Sequence, residues 1–194
     1  MYIHYKNVKT YKNISEMPEV LKVNSFSLLL AAISCIGMSM VANFQYVNSP
    51  IPHLVGSVLV FGFAMLYCWC QSFISYKGQA LGMNSKISTV IRTMLSFAAT
   101  VFFVICSVAT PYSISQRRSH SGKATVPPTA VNATQPPRPN HWSRITGGFD
   151  CHLASSFSEW LLAFTVLLFS MTYFNEFKKI SLSIKTTPRE RTEL

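Results

Sequence analysis

VNSFSLLLAAISCIGMSMVANFQYVNSPIPHLVGSVLVFGFAMLYCWCQSFISY, from Val23 to Tyr76, is a run of 54 residues without a single Asp, Glu, Lys or Arg. A helix crosses ~30 Å of hydrocarbon with about 20 apolar residues, so this run is long enough for two crossings. Asn48-Ser49-Pro50-Ile51-Pro52 divides it. Each proline lacks an N–H donor and disfavours helix at the residue before it. The run therefore reads as two helices, 26–47 and 53–76, joined in a tight hairpin. Further along, 93–110 and 151–175 have the same length and polarity. Only helices and closed barrels satisfy their backbone in lipid, and these segments are continuously apolar rather than alternating. The expected fold class is all-α: a polytopic transmembrane helical bundle of four spans.

The remaining composition agrees. Charged residues make up 12% of the 194 positions, against roughly a quarter in soluble domains. Soluble, disordered, collagen-like and disulfide-framework classes are excluded together. The formal charge of +10 comes from 17 Lys and Arg, but they lie between the apolar segments and bring no recognition helix or nucleic-acid motif. Their expected partners are the bilayer and the anionic lipids of its cytosolic leaflet, not nucleic acid. The opening MYIHYKNVKTYKN lacks the apolar core of a cleaved signal peptide.

Lys and Arg collect on the cytosolic side of membrane proteins. Residues 1–25 carry Lys6, Lys9, Lys12 and Lys22, residues 77–92 carry Lys77, Lys86 and Arg92, and the basic tail 176–194 carries five more, together twelve of the seventeen. With four spans these segments share a side, so both termini are expected in the cytosol. The Pro-rich segment 111–150 then faces the lumen, where Asn132-Ala133-Thr134 is a glycosylation acceptor. Cys68 and Cys70, near the cytosolic end of the second span, read either as palmitoylation sites or as buried structural thiols. Lys178 and Lys179 read as a juxtamembrane contact to anionic lipid. Tyr67, Trp69, Phe73 and Tyr76 read as an interfacial aromatic belt.

Glu159 is the one acidic residue inside a span. A carboxylate in hydrocarbon costs at least a few kcal/mol, so it is expected to face the bundle interior. His152, Ser155, Ser156 and Glu159 stand at i, i+3, i+4 and i+7, on one helical face. Asn43 and Gln45 close the first span at the same end, and His53 opens the second. A lumenal polar cluster of Asn43, Gln45, His53, His152 and Glu159 is the expectation. Two readings stay open: hydrogen bonds that tie helices together, or a lipid, ion or proton site in which His would titrate. No Ser-His-Asp order, metal-ligand spacing or phosphate-binding glycine loop is present in the sequence, so the expectation is a non-enzymatic protein without a cofactor.

Taken in order, these residues resemble the damage-regulated autophagy modulator (DRAM) family and its transmembrane-150 relatives. The resemblance rests on Val41-Ala42-Asn43-Phe44-Gln45, on His53, on Gln71-Ser72-Phe73-Ile74-Ser75-Tyr76-Lys77, on Ser158-Glu159-Trp160, and on Thr172 through Leu182. It implies a non-enzymatic membrane protein that modulates autophagy at the lysosome and is linked to cell death, working through protein partners it does not identify. Relatives at the plasma membrane imply the alternatives, a channel subunit or regulator or an anchor for a phosphoinositide kinase. The recurring polar positions it carries over are Asn43, Gln45, His53, His152 and Glu159. Family members usually have six spans, so this chain resembles a form lacking two at its N-terminus. Its Pro-rich lumenal loop is also longer than in the DRAM branch.

Overall fold

The computed structural model describes residues 5–6, 8–9, 17–123, 142 and 147–178, with the side chains of 120–123 left aside. Among them every regular element is helical: α1 (Pro18–Asn43), α2 (Pro50–Ser57), a π-helical turn (Val58–Gly62), α3 (Phe63–Gln79), α4 (Lys86–Lys123), α5 (Phe149–Met171) and α6 (Phe174–Phe177). Among the described residues four helical units are long and apolar enough to cross a membrane: Pro18–Asn43, Pro50–Gln79, Lys86–Ser119 and Phe149–Phe177. The chain is thus an all-α, multi-pass membrane bundle.

Each helix starts ahead of its apolar window, for identifiable local reasons, whereas α1 ends at Asn43, short of the expected boundary at 47. α1 starts at Pro18, a proline in the first turn, where its missing N–H is not needed. α2 likewise opens with Pro50. α4 starts at Lys86, seven residues before the apolar window, because Ser85 caps it by accepting the Ser88 N–H at 3.1 Å. It also runs through Pro111 to Lys123, into the segment expected to be loop. Its 38 residues make a rod of about 57 Å, well beyond the hydrocarbon thickness.

Packing follows membrane rules. The interior is rich in small and polar side chains: Ser27, Ser34, Ser72, Ser75, Thr89, Ser96, Ser155, Ser158 and Thr165 are all buried. Large apolar groups such as Ile36, Val104, Phe157, Trp160 and Leu167 face outward. Lipid is as apolar as leucine, so helices gain by close approach and interhelical hydrogen bonds instead. The α1–α2 crossing shows this best. A Cβ on Gly37 would sit 2.4 Å from the Val60 nitrogen, and one on Gly56 would sit 2.8 Å from Met40 Cβ. At that crossing Ser34 Oγ donates to the Val60 carbonyl at 2.9 Å, within the π turn, where the helical ladder is out of register.

α4 packs along α5, α1 packs on α2 and α3, and α3 joins the two pairs. Leu30 and Ala31 of α1, Tyr67 and Cys68 of α3, and Phe169 and Tyr173 form the apolar centre. Val8, ahead of α1, is buried with Val20 and Ile74. The aromatic belt expectation is corrected in part. Tyr67 belongs to the core, and Trp69 Nε1 donates to Thr100 Oγ1 of α4 at 3.0 Å. Tyr76 does face outward.

Candidate functional site

Two polar zones lie at opposite ends of the bundle. The first lies at the α1–α2 hairpin end. His53, one turn into α2, places Nδ1 2.7 Å from the Phe44 carbonyl at the end of α1. A carbonyl only accepts, so Nδ1 carries the proton. The ring also stands edge-on to Tyr46, with centroids 5.8 Å apart. Across a cleft of about 230 Å³, α5 presents His152, Ser155, Ser156 and Glu159. The i, i+3, i+4, i+7 spacing thus becomes one wall. Thr110 of α4 and Ser155 share a short hydrogen bond, and Cys106 Sγ lies 3.6 Å from Ser155 Oγ. The His152 ring stacks on Trp142 at 4.2 Å, and the Arg117 guanidinium covers that indole at 4.7 Å.

Of the five residues grouped from the sequence, the cleft holds His53, His152 and Glu159. Asn43 and Gln45 stand outside it, exposed and bonded locally. Asn43 Nδ2 donates to the Ser39 carbonyl one turn back at 2.7 Å, and Gln45 Oε1 accepts from Asn48 at 2.9 Å. Both side chains are spent on partners within about one turn of themselves.

The second zone, at the other end, involves residues that charge counting assigned to solvent. Arg92 is 1% exposed. Its Nη1 donates to Ser75 Oγ at 2.7 Å, Nε to Thr172 Oγ1 at 2.9 Å, and Nη2 to the Thr172 carbonyl at 3.2 Å. Nη2 also pairs with the Glu176 carboxylate, and the guanidinium lies 3.8 Å from the Tyr173 ring centroid. Tyr173 OH donates to Gln71 Oε1 at 3.4 Å, and Gln71 Nε2 donates to Ser27 Oγ at 2.9 Å. Ser72 and Ser96 join α3 to α4 at 2.9 Å. One connected network therefore ties α1, α3, α4 and the end of α5. It corrects the assignment of Arg92 to a cytosolic loop and of Glu176 to a solvated tail. The signal was present as polar stripes, Thr89, Arg92 and Ser96 on α4 and Gln71, Ser72 and Ser75 on α3, which match each other across the interface.

Cys68 is buried in the apolar centre and Cys70 is half-buried, so Cys68 sits as a packing thiol. Lys178 is exposed, with Nζ 4.4 Å from the Phe174 ring centroid. Asn132 and Lys179 lie outside the described residues. Among the described residues no group of three or more His, Cys, Asp or Glu could hold a metal ion.

Comparison with known proteins gives a consistent result. Residues 1–180 match the profile of the Frag1/DRAM/Sfk1/Cwh43P N-terminal domain. The chain is 31% identical over 185 residues to human DNA damage-regulated autophagy modulator protein 2, covering 95% of this chain and 63% of that protein. It is 26% identical over 188 residues to human DNA damage-regulated autophagy modulator protein 1, covering 96% and 68%. Over 86 residues it is 34% identical to the modulator of macroautophagy TMEM150B of Xenopus tropicalis, covering 44% and 37%. The chain thus spans less than two thirds of the length of the human protein 2. No solved structure matches it.

Proposed function

Because the chain belongs to the Frag1/DRAM/Sfk1/Cwh43P family, we propose that this multi-pass membrane protein modulates autophagy from the lysosomal membrane, as a scaffold without catalysis. The match across residues 1–180, with relatives named as autophagy modulators, is the observation that carries the reading. The geometry supports a scaffold. The Arg92 guanidinium is surrounded by helix-to-helix bonds, which hold a fixed surface rather than a reacting centre. Both termini face the cytosol in this reading. Setting aside the buried Arg92, eleven of the seventeen basic residues still fall on the side of the termini and the α3–α4 connection. Those segments meet anionic lipid and protein partners, with Lys178 and Lys179 at the membrane surface. The Pro-rich loop with Asn132 is lumenal and glycosylated.

The test is to express the chain with a C-terminal tag and image it against lysosomal and plasma-membrane markers, with the tag probed before and after permeabilisation. The reading predicts lysosomal residence and a tag reached only from the cytosol. Residence at the cell surface would overturn it and favour a channel regulator or kinase anchor. A channel would then be recognised by a current that Glu159→Gln abolishes, and an anchor by altered phosphoinositide levels.

A further inference from the structure

A second cavity, also about 230 Å³, adjoins the polar cleft and shares Leu54, Ser57, Cys106 and Thr110 with it. Its other walls are mainly apolar, with Val58, Phe61, Phe103 and Leu162 prominent among them. Two breaks in helical regularity create this slot. Val58 and Phe61 belong to the π turn, which inserts an extra residue into its helix and re-aims the side chains there. On the facing helix Pro111 cannot donate to the Ser107 carbonyl, and both residues line the slot. Such breaks persist in lipid where neighbouring side chains satisfy the freed backbone groups, as Ser34 does for Val60, and π turns recur at functional sites. Taken separately, each cavity falls below the ~300 Å³ where ligand pockets begin, and joined they exceed it.

The slot also has a direction. Val58, Ser107 and Pro111 are exposed on the outer surface of the bundle and line the slot at once. These positions lie inside the spans, so the slot opens sideways to the acyl chains of the bilayer. At its inner end stands the polar cleft. Among the described residues Glu159 is the one carboxyl group lining either cavity, and neither is lined by Lys or Arg. No hydrogen bond among the described residues reaches the Glu159 carboxyl; His53, whose Nδ1 is committed to the Phe44 carbonyl, is its electrostatic neighbour in the cleft without bonding to it. A half-buried carboxylate in a membrane calls for a cationic or hydrogen-bond-donating partner.

We propose that the joined cavities bind a single-chain lipid with a protonated amine headgroup, its chain in the slot between α2, α4 and α5 and its ammonium on Glu159. An anionic headgroup would stand against the Glu159 carboxylate with no lining Lys or Arg to hold it, and a slot of about 230 Å³ has room for one chain rather than two. This assignment is independent of whether the protein acts in autophagy.

The experiment uses the full chain, purified in detergent and labelled with a photoreactive long-chain primary amine. Unlabelled amine, alcohol and carboxylate of equal chain length serve as competitors. Saturable labelling that maps to α2, α4 or α5 is expected, with the amine competing best. Glu159→Gln should weaken amine competition about tenfold, the weight of one charge-assisted hydrogen bond. It should leave the alcohol's weaker competition within about threefold. Ser107→Phe, at an exposed position and filling the slot, should remove labelling while the protein elutes as a single species. Val58→Trp provides the same block from the facing helix, should Ser107→Phe not fold. Equal competition by alcohol or carboxylate would overturn the proposal. So would labelling that survives a folded slot-filling variant, or an unchanged amine preference in Glu159→Gln.

Discussion

Replacing Arg92 by Met removes the guanidinium but keeps most of its volume. The stem still packs among Ser75, Tyr173 and Thr172, yet Glu176 loses its ion pair with Arg92, and Ser75 and Thr172 lose the guanidinium donors. Removing one partner of a buried pair costs about 3–5 kcal/mol. Two observations pull towards the lower bound. Glu176 is 19% exposed and recovers some solvation, and interhelical hydrogen bonds in membranes average only ~0.6 kcal/mol. The expected loss is therefore about 3 kcal/mol, or roughly 6–12 °C in Tm for a chain of this size. Arg92→Lys keeps the charge but not the planar fork that reaches Ser75, Thr172 and Glu176 together, and should lose about half as much. The double variant Arg92→Met with Glu176→Gln should be more stable than Arg92→Met alone, because the group facing the lost guanidinium is then neutral. Cys68, 1% exposed in the apolar centre, provides the assay. In a chain whose other four cysteines are Ser, maleimide labelling of Cys68 on heating reports the opening of the bundle. A melting curve for Arg92→Met that overlays that of the exposed control Lys178→Met would show that the Arg92 network does not hold the bundle together.

Three further outcomes follow from local geometry. Gly37→Leu should prevent the α1–α2 crossing, since even a Cβ would stand 2.4 Å from the Val60 nitrogen; Gly62→Ala, whose nearest neighbour is a Phe103 ring atom at 3.3 Å, should fold, and gel filtration in detergent distinguishes them. Gly148 has φ +84° and a Cβ there would lie 2.6 Å from the Ser113 carbonyl. Gly148→Ala should therefore lower Tm more than Gly82→Ala, which meets the same backbone strain at φ +72° in open space. Ser34→Ala should cost about 0.6 kcal/mol through the lost interhelical bond to the Val60 carbonyl, read as a small Tm decrease in the same labelling assay.

The spans were legible in the sequence because hydrocarbon imposes a single requirement, and the uncharged run Val23–Tyr76 meets it twice. Helix ends were less so: Ser85 and Pro18 act through caps and first-turn geometry that an apolar window does not measure. His53, His152 and Glu159 could be grouped because α2 and α5 both begin at one end and helical spacing aligns α5's polar face. Asn43 and Gln45 could not be separated from them by depth alone, since partners one turn away decide their fate. The Arg92–Glu176 pair was hidden by a separation of 84 residues and by a counting rule that treats every Lys and Arg as solvent-facing. A buried guanidinium is legible only when the Ser and Thr stripes on its neighbours are read as acceptors.

The most direct test of the account is autophagic flux, measured by turnover of a lipidated autophagosome marker with and without lysosomal inhibition. Cells lacking their own copy would re-express the wild-type chain, Arg92→Met or, as an exposed control, Arg118→Met at matched levels. The wild type and Arg118→Met are expected to shift flux equally, whereas Arg92→Met, with its helices untied, is not. Unchanged flux with a lysosome-resident, folded wild-type chain would contradict it.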